Sequence, residues 1–197
     1  MSEKDLTTRN AILKAAFELL STDDVKDITI RSIAHHANVA ISAINYHFQT
    51  KENLIDLSIN AGVGNIVNNA VELFNNLPDK SYKKLIIVLN DICNKIASLS
   101  RISKISIIND LQRGFALDNI YNSVNALNYM LNEIFNGKEY PVKSKNEIRI
   151  ISYQITSSIQ FGFLRSEQLR EEIGLNFYLS NDRNKYIEYI LNNLIHK

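Results

Sequence analysis

Residues 28–48 read ITIRSIAHHANVAISAINYHF, and the organisation of the chain turns on them. Thr29 is suited to cap a helix, because its hydroxyl can accept from a free backbone N–H of the first turn. Ile30, Ile33, Ala34 and Ala37 then form a short apolar stripe at helical spacing. Asn38 follows, and Asn is, after Gly, the residue that best tolerates the left-handed backbone of a tight helix-to-helix turn. A second short helix is expected from Ile41 to His47. Two short helices joined by such a turn make a helix-turn-helix. Ile44 and Phe48, four apart, anchor the second helix inward, which leaves Ser42, Asn45 and Tyr46 on the other side.

Upstream, LTTRNAILKAAFELL at 6–20 places Ile12, Ala15, Ala16, Leu19 and Leu20 on one helical face. Thr7 or Thr8 is expected to cap this helix, and Ser-Thr-Asp-Asp at 21–24 to end it. Downstream, Thr50 caps a long helix that begins Lys51-Glu52-Asn53-Leu54, keeps its apolar rhythm to Phe74 and ends at Pro78-Asp79. Gly62 and Gly64 interrupt it, each at a cost of about 1 kcal/mol against Ala. They mark close packing against a neighbouring helix, a local break, or a soft point between the first domain and the larger one. Helical segments follow near 80–100, 103–113 and 118–135. Ser144 with Glu147 matches a capping box, opening a helix to about Leu164. A polar stretch with Gly174 comes next, and Asn181-Asp182 opens a last helix through Ile195. The fold class is all-α: a three-helix helix-turn-helix domain at 1–50 and a larger helical domain at 51–197, connected by the helix from Lys51.

Composition narrows the function classes. A chain of 197 residues with two prolines and six glycines suits this helical reading. No apolar run approaches the length of a membrane span, and MSEKDLTTRN lacks the apolar core of a signal peptide. The expectation is a cytoplasmic protein with no membrane partner. The single Cys93 reads as a buried structural thiol. There is no Walker loop, no Gly-x-Ser-x-Gly and no cluster at metal-ligand spacing. An enzyme, a cofactor and a metal site are therefore not expected. Net charge is +1 overall; over residues 1–55 six lysines and arginines stand against seven aspartates and glutamates, a net −1. DNA binding by this head must rest on placed contacts rather than on a bulk positive field.

A helix-turn-helix sets its second helix in the major groove of DNA. Ile41 is then positioned for a thymine methyl and Asn45 for an adenine edge, with Ser42 beside them. Tyr46 and His47 reach phosphate oxygens. Lys51 puts a cation in the first turn of a helix, where the dipole disfavours it. A phosphate held there by backbone N–H groups and the ammonium together would explain the placement. Thr29 can act in the same way from the other side. His35 and His36 read as a helix-end pair, one inward and one solvated.

The words AILKAAFELL, ITIRSIAHHANVAISAINYHF and TKENL, in this order and spacing, make residues 5–54 similar to the N-terminal domain of the TetR family of bacterial transcriptional regulators. The resemblance implies a homodimer that binds a palindromic double-stranded DNA operator and is released by a small-molecule effector, most simply as a repressor. It also implies that the larger domain binds ligand and dimerises. By position, Tyr46, His47 and Lys51 match the family's phosphate contacts, and Thr29 matches a contact at the start of the second helix. Asn38 stands where the family usually has Gly, Ile41 where Lys or another polar residue is common, Ser42 where Gly is common, and Asn45 in place of a frequent Tyr.

For the effector, Cys93, Gln112, Phe115, Tyr129, Tyr153 and Phe161 are the candidate pocket walls in the core of 80–165. For the dimer, the helix at 144–164 is apolar on more than one side. Ile148, Ile151, Ile155 and Ile159 lie on one side; Ile150, Ser157, Phe161 and Leu164 lie on another. Ser157, Ser158 and Gly162 are small enough to let a partner helix approach. The last helix adds Tyr186, Ile187, Ile190 and Leu194, which together suggest a four-helix interface across a two-fold axis. The alternative is a helical protein–protein adaptor without DNA readout, and the near-neutral head is what favours it.

Overall fold

The computed structural model describes residues 3–23, 25–78, 81–99, 102, 104–108, 119–137 and 140–195. Every regular element among them is helical, in the order α1 (Glu3–Thr22), α2 (Ile30–His36), α3 (Ile41–Phe48), α4 (Lys51–Asn76) and α5 (Tyr82–Ser98). Then come α6 (104–108), α7 (Asn119–Phe135), α8 (Lys145–Leu164), α9 (Ser166–Ile173) and α10 (Ser180–Ile195). The chain divides into two compact units, Met1–Asn65 and Ile66–Lys197, with the division inside α4.

In the first unit, α1 buries Ile12, Leu13, Ala15, Ala16 and Leu20, and α3 buries Ile44 and Phe48. The opening turns of α4 add Leu54, Ile55 and Ile59 to this core. Local signals account for the joints. Thr29 caps α2 through a capping box: its hydroxyl accepts from the Ser32 N–H at 3.0 Å, and its own N–H donates to the Ser32 hydroxyl at 2.9 Å. Asn38 is left-handed, with φ 53°. The Val39 N–H reaches back to the Ala34 carbonyl at 3.0 Å and the Asn38 N–H to the His35 carbonyl at 3.2 Å. This is a Schellman closure, which satisfies two orphan carbonyls at the end of α2. Thr50 receives the Asn53 N–H at 3.1 Å, and the Asn53 amide closes on the Phe48 carbonyl at 2.9 Å.

Two expectations for this unit change. Thr7 and Thr8 do not cap α1, which already begins at Glu3; their hydroxyls donate to the carbonyls of Glu3 and Lys4, each at 3.0 Å. Glu3 and Asp5 supply the favourable charge at the helix start instead. His35 and His36 are both exposed, and His36 lies 3.0 Å from the Glu18 carboxylate of α1.

In the second unit the C-terminal half of α4 and helices α5, α7, α8 and α10 share one core. Helix α8 gives it Ile148, Ile151, Ile155, Ile159 and Phe163, and α10 gives Ile187, Leu191 and Ile195. The capping box at Ser144 and Glu147 is present. Arg183 is buried, donating to the Phe177 carbonyl at 2.9 Å and to the Asn94 side chain. The polar stretch after Leu164 is a helix, α9, which ends at a left-handed Gly174. Of the segment expected at 103–113, 104–108 is helical and 109–113 lies outside the described residues.

The two glycines of α4 differ. A Cβ at Gly62 would stand 2.1 Å from the Phe17 ring of α1, whereas at Gly64 nothing lies within 4 Å. Close packing explains Gly62; Gly64 is left as the more flexible step. Gly62→Ala should therefore lose about 1–3 kcal/mol of stability as Phe17 is pushed aside. Gly64→Ala should gain about 0.5–1 kcal/mol. Urea unfolding of the two single variants measures both.

Candidate nucleic-acid interface and internal cavity

With Ile44 and Phe48 buried, α3 turns Ile41, Ser42, Asn45 and Tyr46 outward. Ile41 is 42% exposed and Tyr46 is 74% exposed, values high for side chains of this size in a folded unit. His47 is half-buried and holds its ring edge-on to Tyr46, centroids 5.0 Å apart. Thr29 is exposed at the start of α2. Lys51 is half-buried, and its ammonium donates to the Val25 carbonyl at 2.9 Å. That bond uses one of three donors, so two remain for an anion at the start of α4. The seven residues thus fall at the α2 start, along the outer face of α3 and at the α4 start. The arrangement offers one short base-sized polar and apolar face flanked by hydroxyl, imidazole and ammonium donors.

The second unit holds a cavity of about 90 Å³. Ala70 of α4, Leu89 of α5, Leu127 and Met130 of α7, and Ile155 and Ile159 of α8 form its buried wall. Val67, Ile92, Ile96, Ser123, Ala126 and Gln160 form a half-buried rim, and Thr156 completes the lining. The expected pocket residues lie elsewhere. Cys93 is fully buried in the core but does not line this cavity. Tyr129 is 41% exposed and hydrogen-bonds Asn75 at 3.0 Å. Tyr153 and Phe161 are exposed on the outside of α8, and Gln112 and Phe115 lie outside the described residues. The wall of this cavity is aliphatic, with Thr156 and Gln160 as polar residues one turn apart beside the Ile155–Ile159 stripe.

The outer faces of α8 and α10 are mixed, with large apolar side chains among polar ones. Ile150, Phe161 and Tyr189 are 57%, 52% and 71% exposed. A shallow groove between the two helices is lined by Tyr153, Gln154, Ser157 and Ser158 from α8, with Tyr189, Ile190, Asn193 and Leu194 from α10. Leu164 and Tyr186 are half-buried beside it. Two expected interface residues point inward instead. Ile187 is 1% exposed and belongs to the core. A Cβ at Gly162 would meet the Phe177 ring at 2.4 Å, so this glycine serves packing within its own unit.

Residues 12–57 match the sequence model of the bacterial regulatory proteins, tetR family. That stretch is similar in sequence to the helix-turn-helix domain of this family. The chain is also 32% identical over 63 residues to an HTH-type transcriptional regulator of Saccharopolyspora erythraea, covering 32% of this chain and 27% of that protein, so the match spans about a quarter of the relative. The whole fold is similar to a TetR-family transcriptional regulator of Pectobacterium atrosepticum, with TM-score 0.74 and 14% identity over 100% of this chain and 98% of that one. It is likewise similar to a TetR transcriptional regulator of Rhodococcus sp. RHA1, with TM-score 0.62 and 19% identity over 99% and 100% of the two chains. At such identities the likeness is one of fold. The matched stretch therefore contains every candidate DNA contact named above, while the cavity and the outer groove lie in the second unit.

Among the described residues no helix is long and apolar enough to cross a membrane, and no three His, Cys, Asp or Glu side chains group as a metal site. Burial pushes the Cys93 thiol up to about 12, drawn back only in part by the Arg183 charge. An unfolded thiol ionises near 8.5, so this burial favours the fold fully below that pH, and the contribution is lost as pH rises from there toward 12. At pH 8 the native chain should alkylate with iodoacetamide at least about 100-fold more slowly than the urea-unfolded chain, since the thiolate is the nucleophile. Mass spectrometry of timed samples measures this, and equal rates would contradict the buried placement.

Proposed function

We propose that this chain is a homodimeric transcription regulator, a repressor that binds a palindromic double-stranded DNA operator and leaves it when a small molecule occupies the cavity of the second unit. The outward face of α3 carries the reading: it is short, chemically mixed, and flanked by donors at two helix starts. Asn45 reads an adenine edge and Ile41 a thymine methyl, with Ser42 between them. Thr29, Tyr46, His47 and Lys51 fix the register on phosphates. Paired heads would enter successive major grooves about 34–36 Å apart.

The dimer supplies that pairing. The groove and exposed apolar side chains of α8 and α10 form a patch of the kind that marks a protein interface. Ile150, Ser157, Phe161, Leu164, Tyr186, Ile190 and Leu194 are its residues. The effector need only bind the DNA-incompetent state more tightly than the competent one. Such a protein works in the cytoplasm, where its operator is.

The net −1 over residues 1–55 favours a second reading, a helical adaptor whose helix-turn-helix meets protein. Salt separates the two, because phosphate contacts release counterions and protein contacts of this kind do not. Selection of bound sequences from a random duplex library should enrich an inverted repeat with the native chain. Tyr46→Ala with Lys51→Ala should lower affinity for that repeat tenfold or more, by roughly 1.4 kcal/mol or above, and flatten the salt dependence by about one unit of slope. Asn45→Ala should cost about 1–3 kcal/mol and relax preference at one base pair. No enrichment at low salt would give the adaptor reading first place.

A further inference from the structure

The cavity of the second unit has a defined chemistry. Among the described residues, none of the side chains that line it is charged or aromatic. Against this aliphatic wall stand two polar side chains of α8, Thr156 and Gln160, one turn apart on the same edge. Neither makes a hydrogen bond to another described residue. The Ser123 hydroxyl across the rim donates to the Asn119 carbonyl at 2.8 Å, which leaves its lone pairs to accept. Thr156 is 8% exposed, and an occupant of the cavity would offer its hydroxyl a partner.

Size and charge restrict that occupant further. A volume of about 90 Å³ exceeds the roughly 30 Å³ share of one water, so the cavity admits a small group as it stands and must widen for a longer occupant. Flexible Met130 and the branched Leu89 and Ile159 can give way to an aliphatic chain. A carboxylate or ammonium group would find no counter-charge among the described lining residues.

We propose that the cavity binds a neutral aliphatic molecule carrying one terminal hydroxyl or carbonyl group. The chain lies against Leu89, Met130 and Ile159, and the polar end is held by the Thr156 hydroxyl and the Gln160 carboxamide. The assignment rests on the effector role given to this cavity above, and it names the class of effector.

The test uses the full chain and two probes of equal length, 1-hexanol and hexanoate at pH 7.5, in calorimetric titrations. The expected result is one 1-hexanol site per chain, with hexanoate at least about tenfold weaker because its charge is buried unpaired. Ala126→Leu at the rim should abolish the site by filling it. Thr156→Val with Gln160→Leu should weaken 1-hexanol about fivefold or more while the thermal midpoint shows the variant folded. Hexanoate binding as tightly as 1-hexanol would overturn the proposal. So would the absence of 1-hexanol binding, or a 1-hexanol affinity unchanged in either folded variant. The operator selection, run without probe, reports separately on the regulator reading. An operator without a 1-hexanol site removes only the effector class. A 1-hexanol site without an operator supports the cavity's chemistry and removes the regulatory role.

Discussion

The burial of Ile44 and Phe48, one helical turn apart, fixes the rotation of α3 about its own axis. Phe48 is fully buried, and the Arg9 guanidinium of α1 lies 5.5 Å from its ring centroid, closing the site with a cation–π contact. Once those two side chains are committed to the core, Ile41, Ser42, Asn45 and Tyr46 have no choice but to face water. The outward face is thus a consequence of packing rather than a separate specification. The same commitment brings the end of α3 to Thr50 and Asn53, whose hydrogen bonds set where α4 starts and so where Lys51 stands.

This explains why the first unit could be read from sequence and the second only in outline. Thr29 and Asn38 are local devices: each acts through backbone groups within a few residues, so residue type and position suffice to place the joint. Ile44 and Phe48 are nearly as local, since one helix turn separates them. Thr7 and Thr8 misled because a Thr inside a first turn can bond backward as readily as it can cap. In the second unit the decisive relations are long-range. Gly162 is small because Phe177, fifteen residues on, lies over it. Ile187 faces inward while its neighbours Tyr189 and Ile190 line the outer groove. No periodicity in one helix tells which of two apolar stripes meets the core.

Helix α8 shows what this ambiguity means physically. Ile148, Ile151, Ile155 and Ile159 bind the unit together. The adjacent strip with Thr156 and Gln160 borders the cavity, and Ile150, Tyr153 and Phe161 stand outside. That outer strip mixes its apolar side chains with Gln154 and Ser157, so α8 has one stripe that meets the core and a second face that stays mixed and exposed in the single chain.

Helix α4 is divided between the units: its residues 51–65 go with the first and 66–76 with the second. It gives Leu54 and Ile59 to one core, and Val67 and Ala70 to the cavity lining. Gly62 resists bending, because Phe17 lies against its backbone, whereas Gly64 has open space around it. The packing of Phe17 on Gly62 makes the segment of α4 N-terminal to Gly64 the stiffer one, and an added Cβ has room only at Gly64.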